Sequence, residues 1–192
     1  NIITQVSPIN NIRFGLCCLV TIILSLFFIN AALGQCTVYE RVYVTSESHT
    51  SFIGSVTDFN NAVGSNTADY STLTAGLLGS ATQYLQFAST VSSGTSVTIK
   101  LSIPPALLGV LSGLSIQPYI NTPASHTNVG SAITNASLVT LLGGTGDDEV
   151  TITPSGNFDG VAVTVIGGVS LGQSMQIYDA YYLKPSTTNS AC

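Results

Sequence analysis

Apolar and polar residues alternate with a period of two along most of the chain. In "TSVTIKLSI" (95–103), Val97, Ile99, Leu101 and Ile103 fall on one side, with Thr98, Lys100 and Ser102 on the other, the pattern of a half-buried strand. "DEVTITP" repeats it with Val150 and Ile152, and "GVAVTVIG" with Val161, Val163 and Val165. "TVYERVYVT" sets Val38, Glu40, Val42 and Val44 against Tyr39, Arg41 and Tyr43. "MQIYDAYYL" (175–183) is apolar or aromatic on both sides, as a central strand covered on each face would be. Breakers ("SSG", "IPP", "NTP", "GGTGDD", "PSGNFDG", "IGG") follow every ten residues or so, which predicts short strands joined by turns in an antiparallel sandwich. Residues 104–114 and 135–144 carry Leu at helical spacing, the second after Asn135. Both are short and carry Gly at or next to their ends (Gly113 and Gly144), so a helical turn and a strand fit equally. No βαβ alternation occurs. The expectation is an all-β, antiparallel β-sandwich over 35–185, followed by a Ser/Thr/Asn-rich linker at 186–192.

The first 34 residues read differently. Arg13 precedes an apolar run from Phe14 to Ile29, and Ala32 and Gly34 place small side chains where a signal peptidase reads. Cleavage before Gln35 and export are expected, with no membrane insertion afterwards, because the run is short for a bilayer span of about 20 residues. Cys17 and Cys18 would leave with the signal. Cys36 and Cys192 remain, one at each end. Either they pair with each other or Cys192 pairs beyond the stretch given, since connectivity is not readable from spacing. The start at Asn and the stop at Cys suggest a piece of a longer product with further domains.

Composition narrows the partners. Only 7% of residues are charged while 45% are apolar, so the chain can build a core and is not of the disordered class. Four Lys+Arg against nine Asp+Glu leave little to neutralise a run of phosphates, which excludes nucleic acid as a partner.

Candidate chemistry is sparse. His49 and His126 lie in Ser/Thr-rich stretches with neither a nucleophile signature nor zinc-ligand spacing, and read as exposed loop residues. Asp147, Asp148 and Glu149 are adjacent in a predicted hairpin turn, and Asp159 reads as a turn residue. No catalytic set emerges, and an enzyme is not expected. With no Trp in the chain, a sugar would have to stack on Tyr or Phe. Tyr70, Asn66 and Tyr119 are the candidate ligand-binding residues, although a buried Tyr in a sandwich is usually core. Calcium is the one candidate cofactor. Asp58, Asn61 and Asp69, in and beside "NNAVGSNTADYSTL" (60–73), concentrate the oxygens a hard cation needs. Their spacing is not that of an EF-hand loop, and Asx residues also build turns unaided.

The order "NNAVGSNTADYSTL", "QYLQFASTVSSGTSVTIKL", "NASLVTLLGG", "GNFDGVAVTVIGG" and "IYDAYYLKP" resembles a repeated domain of large Bacteroidetes surface adhesins of the type IX secretion class, often accompanied by Ig-like modules. It is also similar to the discoidin-like (F5/8 type C-like) jelly roll. The resemblance implies an extracellular binding or adhesion module, glycan or protein being its ligand, with a structural spacer as the alternative and a glycan-active enzyme domain as a remote one. It also favours a Cys36–Cys192 bridge, and calcium near the first long loop. Where that loop commonly reads N-A-V-D-G-N, this chain has Gly64-Ser65-Asn66, leaving Asp58 or Asp69 to supply a carboxylate.

Overall fold

The computed structural model describes residues 35–103, 113–122, 125–134, 147–168, 173–186 and 190–191. Twelve strands and one short 3₁₀ turn make up the described residues. At the ends, β1 (Gln35–Cys36) pairs antiparallel with β12 (Ser190–Ala191), Cys36 opposite Ser190. These ends form a unit of their own, residues 1–39 with 185–192, and the sandwich is the second, Glu40–Lys184. Cys192 lies outside the described residues.

The sandwich is organised around β4 (Ser71–Val91), a strand of 21 residues. Its first part, Leu73 and its neighbours, pairs with β11 (Gln173–Pro185). Its second part, from Ser80 onward, pairs with β10 (Phe158–Ile166). On its other edge β3 (Ser46–Thr57) follows it through both parts. One layer therefore runs from β9 (Asp147–Ile152) through β5 (Val97–Ser102) and β11 to β4, with β2 (Tyr39–Tyr43) also paired to β11. The other runs from β7 (Ser125–Asn128) through β6 (Gly113–Thr122) and β10 to β4, with β8 (Ile133–Thr134) on β6. We call these the β11 layer and the β10 layer.

The layers face each other because β4 doubles back. Ser71 and Gln83 are twelve residues apart, about 40 Å in a straight strand, yet the Ser71 hydroxyl donates to Gln83 Oε1 at 2.6 Å. The turn-back is a corner at "GLLG" (76–79), where Leu78 adopts φ 56° opposite Ile53 at φ 45°. Backbones approach so closely there that a Cβ on Gly79 would lie 2.0 Å from the Ile53 carbonyl oxygen. Alternation survives the corner: Ser71, Leu73 and Ala75 are buried before it, and Ala81, Gln83, Leu85 and Phe87 after it. A long hairpin folded in half, closing two antiparallel sheets over one core, is a sandwich of jelly-roll type, as expected. Phe87 of the β10 layer meets Tyr182 of the β11 layer with ring centroids 5.0 Å apart, and Ile99, Leu101, Ile116, Val163 and Ile177 fill the space between at zero exposure.

The expected strands at 97–102, 150–152, 161–165 and around 175–183 are present. The helical alternatives at 104–112 and 135–144 lie outside the described residues, while Gly113 and Leu114 open β6. His49 and His126 stand in β3 and β7, not in loops, and Asp159 lies inside β10.

Replacing Gln83 by Met removes the donor to the Phe59 carbonyl and leaves the Ser71 hydroxyl only its long bond to the Ile177 carbonyl at 3.5 Å, and is expected to cost about 2 kcal/mol. Urea denaturation should show the Ser71→Ala/Gln83→Met pair costing less than the sum of the single changes, because both remove the same bond.

Candidate functional site

The first long loop is a self-contained turn over the open edge beside β3. It starts at Asp58, whose φ of 51° is left-handed, and continues as the 3₁₀ turn Phe59–Ala62. Gln83 Nε2 donates to the Phe59 carbonyl at 2.8 Å, Gly64 N donates to Val44 O at 3.0 Å, and Ala62 is fully buried. The Phe59 ring stands 4.5 Å from His49, and His49 Nδ1 lies 3.1 Å from Glu47 Oε2. Each candidate metal ligand has a place in this architecture. The Asp58 carbonyl accepts from Asn61 N, Asn61 Nδ2 donates to the Tyr70 carbonyl at 3.3 Å, and Asp69 Oδ2 accepts from Asn66 Nδ2 at 2.6 Å. Asn66 Oδ1 in turn accepts from Ala68 N. Among the described residues no three His, Cys, Asp or Glu side chains converge as a metal-binding group.

Tyr70, at the loop's end, opens onto a richer surface. Its ring meets Tyr178 edge-on at 5.4 Å on the outer face of the β11 layer. That face owes its form to a β-bulge. Ile177 pairs with Leu101 but Asp179 pairs with Lys100, so Tyr178 is an extra residue. The insertion keeps Ile177 and Ala180 both in the core at zero exposure while placing Asp179 and then Tyr181 opposite the outward Lys100 and Thr98.

Two cations rest on the rings. Arg41 Cζ lies 4.4 Å from the Tyr181 ring centroid, and Lys100 Nζ lies 4.9 Å from that of Tyr178, a cation–π geometry. Tyr43 packs against Tyr181 at 5.6 Å. The Tyr181 hydroxyl donates to Glu149 Oε2 at 3.4 Å, and the Tyr178 hydroxyl to Gln176 Oε1 at 3.2 Å. Among the described side chains, neither Arg41 nor Lys100 is within 4 Å of a carboxylate, the ion pair there being Glu47 with His49. Asp179 is 1% exposed, and its Oδ1 has no hydrogen-bond partner. Burial holds its carboxyl above the ordinary range. Lys100 pulls it back, Glu149 pushes it further up, and Arg41 pulls it down. The Arg41 guanidinium also hydrogen-bonds Tyr43, so the face presents rings and two cations that keep N–H donors to spare, with the unpartnered Asp179 carboxyl buried beneath them.

The β10 layer carries a second aromatic cluster of another kind. Tyr84 and His126 are stacked at 4.0 Å and 10°, and Tyr119 meets both edge-on, at 5.6 and 4.7 Å. Tyr119 is 1% exposed although it points away from the inter-layer core, and burial, then Asp159 and Tyr84, pushes its phenol well above the usual value. Its ring fits only because residue 160 is Gly: a Cβ there would lie 2.7 Å from the Tyr119 hydroxyl. Asp159 spends both oxygens, accepting from Thr90 Oγ1 at 2.6 Å and Asn121 N at 2.9 Å. These rings pack on one another, while the buried Tyr119 hydroxyl has no hydrogen-bond partner. A cleft of ≈ 300 Å³ beside this layer, with Pro118, Ile133, Ile152 and Pro154 in its wall, holds no charged side chain.

Of the three expected ligand-binding residues, Tyr70 stands on the open β11-layer face, Asn66 is closed onto Asp69, and Tyr119 is buried on the opposite layer. Arg41, Lys100, Tyr178 and Asp179 were not singled out in the sequence. One signal was available. In "IYDAYY" the inward residues Ile177, Ala180 and Tyr182 break period two by one position, the mark of a bulge.

The chain matches no family model and no curated protein sequence. Among solved structures it is similar to a CBM32 of AlyQ in complex with 4,5-unsaturated mannuronic acid, at 13% identity and TM-score 0.44 over 74% of this chain and 97% of that one. It is also similar to a lectin-binding domain of lectinolysin complexed with Lewis b, at 11% identity and TM-score 0.45 over 74% and 95%. A third is a family 29 carbohydrate-binding module from Piromyces equi, at 13% and 0.40 over 76% and 90%.

Because folding raises the Asp179 pKa, the folded state holds that proton more tightly than the unfolded one. Stability should fall as pH rises from the ordinary carboxylate value to the raised one, and stay lower above it. In thermal melts from pH 3.5 to 8, Asp179→Asn is expected to lose this slope and to exceed the parent protein in Tm at pH 7.

Proposed function

We propose that the protein is an exported, non-catalytic saccharide-binding module of a bacterial surface adhesin, of the Bacteroidetes type its sequence resembles, and that it binds on the outer face of the β11 layer. The observation that carries this is the chemistry on that face: Arg41 and Lys100 held over tyrosine rings with no described carboxylate within 4 Å, beside the exposed ring of Tyr70. A sugar presents hydroxyls that both donate and accept, and a C–H face that packs on an aromatic ring. Tyr70, 39% exposed, offers such a ring, and a few placed polar groups around it supply orientation. The first long loop serves this face as a scaffold that sets Tyr70 beside Tyr178.

Soluble polysaccharides in affinity electrophoresis test the proposal. Tyr70→Ala and Tyr178→Ala should each weaken retardation about tenfold, a loss of about 1.4 kcal/mol, whereas Tyr84→Ala on the other layer should leave it unchanged. Failure of every polysaccharide to bind would leave the spacer reading.

A raised carboxyl near a second acid is also a feature of glycosidases, and Asp179 has Glu149 as its neighbour. Bound polysaccharide should nevertheless keep its chain length on long incubation. New reducing ends that vanish in Asp179→Asn would make this an enzyme. For the loop, calcium should leave Tm unchanged; a rise with concentration would give Asp58, Asn61 and Asp69 a metal-binding role.

A further inference from the structure

We propose that the saccharide is an acidic one, a uronate-bearing chain whose carboxylates are met by Arg41 and Lys100. This rests on the saccharide reading of the same face and specifies its ligand class.

The chain is acidic overall, with a net charge of −5 and only four Lys and Arg residues. Its long-range field therefore repels anions, and any anion it takes must be recognised locally. Two of those four cations nevertheless share one face, on neighbouring rings of β11. A cation that merely solubilises a surface extends into water, and one that merely stabilises it commonly pairs with a carboxylate. Arg41 and Lys100 each stand over a tyrosine ring instead, Lys100 between the ladder positions of Glu149 and Asp179. The rings hold them against the sheet, and no described carboxylate lies within 4 Å of them. Held this way, the guanidinium keeps most of a planar fork of donors that matches a carboxylate, and the ammonium keeps a compact charge. Ring contact also limits their freedom before binding, so less order remains to be imposed.

The remaining groups select the kind of anion. Glu149 and the buried Asp179 stand among the cations and rings, so the face is close to neutral in sum. A chain of multiply charged phosphates or sulfates would meet the exposed Glu149 as well as the two bases. A uronate unit meets the bases with its single carboxylate and Glu149 with its hydroxyls. Geometry further favours a polymer over a single sugar. Across the bulge Tyr178 and Tyr181 stand about two ladder positions apart, opposite Lys100 and Thr98, roughly 7 Å. The two cations over them suit carboxylates on different units of one chain.

The protein should be titrated calorimetrically with polygalacturonate and alginate, with galacturonic acid monomer, with neutral xylan and galactomannan, and with dextran sulfate. The polyuronates should bind at least tenfold more tightly than the monomer and the neutral polymers, with affinity falling as NaCl is raised. Arg41→Gln and Lys100→Gln should each weaken polyuronate binding about tenfold at a temperature where both variants remain fully folded by thermal melt, while Lys184→Gln has no effect. Residual binding of neutral polymers should survive both changes. Polyuronates binding no better than neutral polymers, or indifferent to Arg41→Gln and Lys100→Gln, would overturn the acidic assignment and leave the saccharide reading standing. Equal binding of dextran sulfate through the same two residues would replace it with general anion attraction. No binding of any polymer would remove the saccharide reading itself.

Discussion

A single buried polar contact determines how this chain closes. Ser71 and Gln83 belong to one strand, and their hydrogen bond requires that strand to return over itself. Gln83 then reaches the Phe59 carbonyl, so the same amide that joins the two layers also pins the loop lying beside β3. Buried polar groups in an apolar interior are costly unless satisfied. An unfolded corner would leave Gln83 facing aliphatic side chains without a partner. Hydrophobic packing is non-directional, whereas this contact and the close backbone approach at Gly79 each have a defined geometry.

Downstream of that closure, the outer face of the β11 layer is placed by the start of β4. Tyr70 comes directly before Ser71, so the residue that ties the layers together also locates the exposed ring next to Tyr178. The bulge does the rest. By adding one residue between Ile177 and Asp179, it separates what the core requires from what the surface displays. The β10 layer shows the contrasting outcome: there Tyr84, His126 and Tyr119 pack on one another, and Asp159 cross-links β4 to β6.

Legibility in the sequence followed exposure. Strands with one side in the core, such as 97–102 and 158–166, showed their alternation directly. β3 did not, because an edge strand with most residues exposed has no apolar side to betray it; "SESHTS" reads as loop. β4 was hidden for the opposite reason, since "GLLG" at its corner resembles a connection and divides one strand into two uninformative pieces. Among the site residues, Tyr70 was legible from its setting at the end of a polar loop. Asp179 was not, because its burial and its neighbours Lys100, Glu149 and Arg41 come from three other strands. Tyr119 was legible as an aromatic but not as a packed one, because its place depends on the missing side chain at Gly160.

The bulge at Tyr178 also bears on how such a domain diversifies. Residues 41, 100, 149 and 178 contribute to the displayed surface, while Ile99, Leu101, Ile177 and Ala180 beside them hold the interior. Exchanging members of the first group alters charge and ring pattern on the sheet's outer face without disturbing the packing beneath. Such a fold can thus change what its outer face displays while inheriting its framework intact.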